Sequence, residues 1–257
     1  MSENTREIAL EALLAIEREE DFSHRILKAV LDKYDYLEER DKAFIKRETE
    51  GTTERRIELD YYLDQVSSVP VRKMKPLIRC LMRMSVYQLL YMDNVPDAAV
   101  CNEACKIAQK RKFMNLKGFV NGVLRNIARK KGELSLPDER KDAAEYLSVR
   151  YSMPRFIVEM WIKQYGRERT ERLLDALLKI HPVSVRFRTD MSDKDREELI
   201  GRMENAGAKL TRDKTVPFLY TMEHSENIAQ LPGFAEGKYT VQDASSVQAV
   251  LAAGIGR

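Results

Sequence analysis

The segment after Pro76 limits the fold of this chain more than any other. Residues 77–92 read LIRCLMRMSVYQLLYM, which is apolar almost all the way round a helix, and proline suits the first turn of such a helix. A helix without a polar face needs cover on every side. The sequence therefore predicts that this helix lies at the centre of a bundle.

Amphipathic helices are predicted on both sides of the central one. Asn4 and Glu7 have nearly the spacing of a capping box at the start of the first helix. The helical pattern that begins near Glu38 is interrupted at residues 51–53 (GTT) and then resumes. Apolar residues at helical spacing predict the remaining helices at 5–19, 23–34, 96–108 and 119–131. Residues 1–131 are thus expected to form an all-α bundle.

The sequence pattern changes after residue 131. Residues 132–140 combine Gly, Ser and Pro without helical periodicity and are predicted to be a linker. Residues 141–240 are expected to form a domain of helices plus a small α+β unit. Its helices are predicted at 154–166 and 167–180, a strand with one polar face at 183–187, and shorter strands at 208–212, 218–222 and 239–242.

Positive charge is concentrated in one part of the sequence. The formal net charge is only +3, yet residues 65–132 hold fourteen Lys or Arg against three acids, a local net charge of +11. Clustered cations are typical of phosphate contacts, because each neutralised phosphate releases counterions. A solvated basic face on a protein-interaction module is the alternative. The candidate RNA contacts are Arg72, Lys73, Lys75, Lys110, Arg111, Lys112, Lys117, Arg125, Arg129, Lys130 and Lys131, with Arg186 and Arg188 on the predicted strand.

Cysteine usage and hydropathy favour a reduced, cytoplasmic protein. The sequence shows no apolar run of signal-peptide type or membrane-span length, and it contains three cysteines. Cys101 and Cys105 are four residues apart on a predicted helix and could face a metal together, but no histidine lies nearby. Burial as small hydrophobic side chains is the favoured interpretation, so neither a metal nor a membrane partner is expected.

Five stretches of the sequence carry a resemblance to a known family. LIRCLMRMSVYQLLYMDNVPDAAVCNEACKIAQK (77–110) and GFVNGVLRNIARKK (118–131) resemble the NusB-type antitermination fold, a helical bundle that binds RNA. YSMPRFIVEMWIKQYG, PVSVRFRT and YTVQDASSVQAVL, which follow in that order, resemble segments of Sun/Fmu-type ribosomal RNA cytosine-5 methyltransferases. In that family a NusB-like bundle precedes the catalytic domain. Arg188 departs from the family, which usually has Asn at this position.

The resemblance implies the chemistry of a covalent methyltransferase. A cysteine thiolate would add to carbon 6 of a cytosine in small-subunit (16S) rRNA, and S-adenosylmethionine would supply the methyl group. Cys80, Cys101 and Cys105 lack the family's Pro-Cys or Thr-Cys context. The chain ends at GIGR, so residues 241–257 are expected to begin a Rossmann-like methyltransferase domain that is otherwise missing.

This chain is accordingly expected to be the RNA-binding N-terminal portion of such an enzyme, inactive alone, with no catalytic residue and no bound cofactor. Its expected fold class is multidomain, an all-α NusB-like bundle and then a small α+β domain that leads into the Rossmann-like one. Gln242 and Asp243 could approach the base pocket of the full enzyme, or cap the helix that begins at Ala244. A non-enzymatic NusB-type RNA-binding or antitermination factor is the competing interpretation.

Overall fold

The computed structural model describes residues 4–19, 21–179, 182–223 and 228–254. The chain divides into two compact units, Met1–Leu178 and Lys179–Arg257, and each has its own apolar core. The expected helix end at residue 180 and most of the terminal GIGR stretch lie outside the described ranges.

A central helix and the helices around it form most of the first unit. The described helices are α1 (Thr5–Arg18), α2 (Ser23–Lys33), α3 (Glu39–Glu54), α4 (Arg56–Val66), α5 (Pro76–Tyr91), α6 (Asp97–Lys110), α7 (Lys117–Arg129), α8 (Ala143–Arg150), α9 (Arg155–Tyr165) and α10 (Arg167–Leu177), with 3₁₀ turns at Val71–Lys73 and Met114–Leu116. α5 packs against α1, α3, α4, α6 and α7, and Leu81, Met82 and Val86 are among its fully buried residues. The predicted central helix is confirmed, and its apolar circumference explains its position.

α3 runs through the place where the sequence predicts an interruption. Residues 51–53 are helical, and the break falls at Arg55, between α3 and α4. Gly51 lies against the ring of Tyr87 from α5, where a side chain would have no room. Glycine at this position lets α3 and α5 pack closely. Because residues 51–53 are helical, the expected interruption of the helix there is wrong.

The boundary between the two units lies after Leu178, whereas the sequence favours a linker at 132–140. The linker segment contacts the core of the bundle. α8 packs against α4, and the Ser152 hydroxyl accepts a hydrogen bond from the backbone N–H of Ile57 at 2.9 Å. Helices α8 to α10 therefore belong to the first unit, and residues 141–240 do not form one compact unit. These contacts join residues far apart in sequence, which is why composition alone places the boundary too early.

A small antiparallel sheet forms the second unit. Its described elements are β1 (Val183–Phe187), α11 (Asp193–Asn205), β2 (Lys209–Arg212), β3 (Leu219–Glu223), a 3₁₀ turn (Ile228–Gln230), β4 (Tyr239–Val241) and α12 (Ala244–Ala252). The strand order is β2-β3-β1-β4, and Val185 of β1 pairs with Tyr220 of β3 and Val241 of β4. Val185 and Phe187 are buried against Leu199 of α11, so the predicted strand with one polar face is confirmed. The fold is a helical bundle followed by a small α+β unit, as expected.

Candidate nucleic-acid interface

Exposed cations gather where α5 begins and where α6 is joined to α7. Arg72 and Lys73 lie in the 3₁₀ turn before α5, and Lys75 follows them, also exposed. The Nζ atom of Lys75 lies 5.4 Å from the ring centroid of Phe113, which belongs to the connection between α6 and α7. Lys112 directly precedes that phenylalanine and is exposed as well. The fold thus brings together cations that are far apart in the sequence.

Acidic side chains of α1 neutralise part of the basic segment. Lys110 Nζ lies 2.8 Å from Glu7 Oε1, and Arg111 Nη2 lies 3.0 Å from Glu11 Oε1. These acids are about a hundred residues away in the chain, so a charge count along the basic segment does not reveal them. A phosphate that bound Lys110 or Arg111 would have to displace a carboxylate.

α7 and the residue after it carry cations that form no ion pair among the described residues. Arg125, Arg129 and Lys130 are exposed, and no carboxylate among the described residues lies within ion-pair distance of them. Lys117, at the start of α7, donates to the side-chain amide oxygen of Gln109 at 3.3 Å. These cations therefore remain available to an anionic ligand.

A groove of about 470 Å³ runs between α6 and α7. It is lined by Arg125, Arg129, Asp97, Ala98, Cys101, Gly122 and Ala128. The carboxylate of Asp97 is already paired, because Lys131 Nζ lies 2.6 Å from its Oδ1 atom. The groove thus combines small apolar side chains with two guanidinium groups that have no acidic partner in the described structure.

The two candidate arginines of the second unit have partners within that unit. Arg186 Nε donates to Gln242 Oε1 at 2.6 Å, and Arg188 Nε donates to Asp190 Oδ1 at 2.9 Å. Asp243 accepts a hydrogen bond from a backbone N–H two residues later, and this bond lowers the pKa of its carboxyl group. Of the two roles considered for Asp243, the structure shows the helix cap, at the start of α12.

All three cysteines are buried in the bundle. Burial raises the pKa of the Cys101 and Cys105 thiols, and it raises that of Cys80 to about 12. A thiol in such surroundings is disfavoured as a thiolate nucleophile. Cys101 and Cys105 are buried small side chains, as expected, and the described residues contain no group of three side chains suited to hold a metal.

Sequence reasoning missed the residues that shape the groove. Gly122 lies in the interior of α7, where glycine is unfavourable, and such a glycine is a signal that could have pointed to a special role. Asp97 is one of the three acids of the basic segment, but its pairing with Lys131 depends on how α6 meets the end of α7. No sequence pattern carries that information.

Comparison with known proteins agrees with the resemblance read from the sequence. Residues 3–129 match the NusB family. The chain is 32% identical over 246 residues to a probable ribosomal RNA small subunit methyltransferase B of Bacillus subtilis and 29% identical to that of Synechocystis, with 95% of this chain covered in both cases. The crystal structure of PH0851 superposes on 98% of the chain with a TM-score of 0.68 at 21% identity, which shows a common fold.

Helices α1 to α7 therefore form a NusB family domain. Beyond that domain, the chain as a whole is homologous to the N-terminal portion of ribosomal RNA small subunit methyltransferase B, with the Sun/Fmu-type resemblance confirmed. The chain spans about half the length of the curated relatives it matches, 53% for the Bacillus subtilis protein.

Proposed function

We propose that this chain is the RNA-engaging part of an S-adenosylmethionine-dependent cytosine-5 methyltransferase of small-subunit rRNA, and that it serves ribosome maturation. The similarity to methyltransferase B along 95% of the chain carries this proposal. It continues past residue 129, where the NusB family match ends, so it includes the second unit. A stand-alone antitermination factor of NusB type would leave the second unit unexplained.

The charge distribution supports RNA as the ligand of the bundle. Arg125, Arg129 and Lys130 are exposed, unpaired with acids in the described structure, and next to one another on α7 and its end. An RNA phosphate binds most favourably to cations of this kind, because neutralising the phosphate releases counterions without breaking an existing ion pair. Lys112, Lys117 and the group formed by Arg72, Lys73 and Lys75 extend the proposed surface.

The remaining candidate cations already have partners in the structure and are expected to contribute less to RNA binding. Lys110, Arg111, Lys131 and Arg188 are paired with carboxylates, and Arg186 is held by Gln242. Each would need to exchange its partner for a phosphate. We propose that they contribute less than the unpaired cations of α7.

The described residues do not fit S-adenosylmethionine. Cofactor folds of this kind place a glycine-rich turn after a parallel strand. The strands described here are all antiparallel. We therefore assign no step of methyl transfer to this chain's own side chains.

RNA binding can be tested by fluorescence anisotropy with a labelled fragment of small-subunit rRNA. The variant Arg125→Glu/Arg129→Glu/Lys130→Glu is expected to bind at least about tenfold more weakly, because three phosphate contacts become repulsive. The matched control reverses three exposed cations of α2, Arg25, Lys28 and Lys33, and is expected to stay within about threefold of wild type. Equal losses in both variants would contradict the proposed surface.

The methyltransferase relationship has a separate test in the source organism. Deletion of the gene should abolish one 5-methylcytosine in small-subunit rRNA, detected by bisulfite sequencing. Reintroduction of the full gene should restore the mark. A methylation pattern that is the same before and after deletion would refute the enzymatic part of the proposal.

A further inference from the structure

One row of exposed residues along α7 consists of glycine and arginine. Gly118, Gly122, Arg125 and Arg129 are spaced by four, three and four residues, which places them in one row along the helix, and all four are exposed. Glycine is the poorest helix former apart from proline. Two glycines in this row lower the stability of the helix, which suggests that the absence of a side chain serves a purpose there.

Packing inside the protein does not require glycine at position 122. A Cβ atom built on Gly122 meets nothing within 4 Å, whereas one built on Gly51 would collide with the ring of Tyr87. Gly122 instead borders the groove between α6 and α7. A glycine there keeps the groove open and lets a ligand approach the helix backbone.

The groove has two chemical parts that suit one kind of ligand. Ala98, Cys101 and Ala128 give it an apolar lining, and Arg125 and Arg129 bring two positive charges, while the carboxylate of Asp97 in the same lining is neutralised by Lys131. Arg125 Nε donates to Asn121 Oδ1 at 3.0 Å, so the guanidinium plane is held while its Nη atoms stay free for a ligand. A phosphate alone would not need the apolar lining, and an apolar side chain would not need two arginines.

We propose that this groove holds an unpaired nucleobase of the bound RNA, with the adjacent phosphates on Arg125 and Arg129. This inference rests on the proposed function, because it concerns the same RNA-engaging surface. A guanidinium plane can stack on a base and also contact phosphate, and the face of a base is accessible only where the strand is unpaired. Gly122 is then a specificity-determining residue, because it leaves the space that the base fills.

The test fills the groove without changing any charge. Gly122→Leu places a side chain in the space proposed for the base, and Gly118→Leu is the matched control on the same face, outside the groove lining. The probes are a fluorescein-labelled oligoadenylate about eight nucleotides long, an abasic ribose-phosphate strand of the same length, and a blunt RNA duplex. Thermal unfolding of each variant checks that the bundle remains folded, and neither substitution is expected to lower Tm, because both added Cβ atoms meet open space.

A loss of affinity is expected only for the probe that carries unpaired bases. Gly122→Leu should weaken oligoadenylate binding at least about tenfold, the loss expected when one stacked base is expelled, and should leave the abasic strand within about twofold. Gly118→Leu should leave every probe unchanged. Equal affinity of Gly122→Leu and wild type for oligoadenylate, as a groove for a protein side chain would give, overturns this inference while the RNA-binding proposal stands. If the wild-type chain binds none of the three probes and does not bind the rRNA fragment either, the proposed function itself is overturned.

Discussion

The ring of Tyr87 occupies the space that any side chain at position 51 would need, since a Cβ atom on Gly51 would lie 2.0 Å from the Cζ atom of Tyr87. Tyr87 belongs to the central helix α5 and is itself buried, so its ring has little freedom to move aside. This contact fixes how closely α3 approaches α5. A substitution at Gly51 therefore tests this contact.

Gly51→Ala is expected to lower the free energy of unfolding by about 1–3 kcal/mol, the usual cost of overpacking a core. Urea denaturation monitored by circular dichroism measures it. The control is Gly122→Ala, where the added methyl group meets open space and helix propensity should raise stability by about 0.5–1 kcal/mol. A stabilised Gly51→Ala variant would show that the ring of Tyr87 does not lie where the structure puts it.

Glu48 predicts a pH dependence of stability. It is fully buried in α3, and burial raises the pKa of its carboxyl group from 4.5 to about 8, against the attraction of Arg6. Between these two values the folded chain holds a proton that the unfolded chain releases, so the contribution of Glu48 to stability is lost as pH rises.

Wild type should therefore lose up to about 1.4 kcal/mol per pH unit in this window relative to Glu48→Gln, which cannot ionise. Urea denaturation of both proteins at about pH 5 and about pH 8 measures the difference. The two proteins should have their smallest stability difference near the lower pH. Parallel pH profiles would mean that the Glu48 carboxyl group is not buried as described.

Arg83 joins three helices of the bundle. From α5 it donates to both carboxylate oxygens of Asp60 in α4, at 2.6 and 2.7 Å, and to Glu17 of α1 at 3.3 Å. Arg83→Met should lower the free energy of unfolding by about 2–4 kcal/mol, because it leaves half-buried carboxylates without this partner. Arg83→Lys keeps the charge but not the two-pronged geometry, and should recover part of that loss. Equal unfolding midpoints for wild type and Arg83→Met would contradict this role.

The ion pairs of α1 predict a gain of function. Replacing Glu7 and Glu11 with Gln releases Lys110 and Arg111 from their carboxylates, so affinity for the rRNA fragment should rise by about two- to tenfold. Asp32→Asn with Glu38→Gln makes the same change in net charge at exposed positions outside α1 and serves as the control. If the control gains as much as the Glu7/Glu11 variant, the effect comes from total charge rather than from these two pairs.

Local features of the fold could be predicted from the sequence. The caps at Asn4 and Asp243 depend on side chains within a few residues, and the structure shows both accepting backbone hydrogen bonds. The strand at 183–187 follows from alternation alone. Such features need no knowledge of distant contacts, so the order of most helices and strands was predictable.

Features that depend on distant partners could not be predicted. Gly51 looks like a helix breaker until the ring of Tyr87 is seen beside it. Lys110 looks free until Glu7 is placed next to it. In the candidate site, Arg125 and Arg129 were predicted from their charge, but the groove that they share was not, because it is formed between two helices.

The salt dependence of RNA binding shows directly whether Arg125 and Arg129 contact phosphate. The logarithm of the association constant with the rRNA fragment is measured between about 0.05 and 0.3 M salt for wild type and for Arg125→Gln/Arg129→Gln. Phosphate contacts by both arginines predict a linear decrease in both cases, with a slope about 1.4–1.8 smaller in magnitude for the variant, since two phosphate contacts are lost. Identical slopes for the two proteins would contradict this prediction, because the α7 arginines would then contact no phosphate.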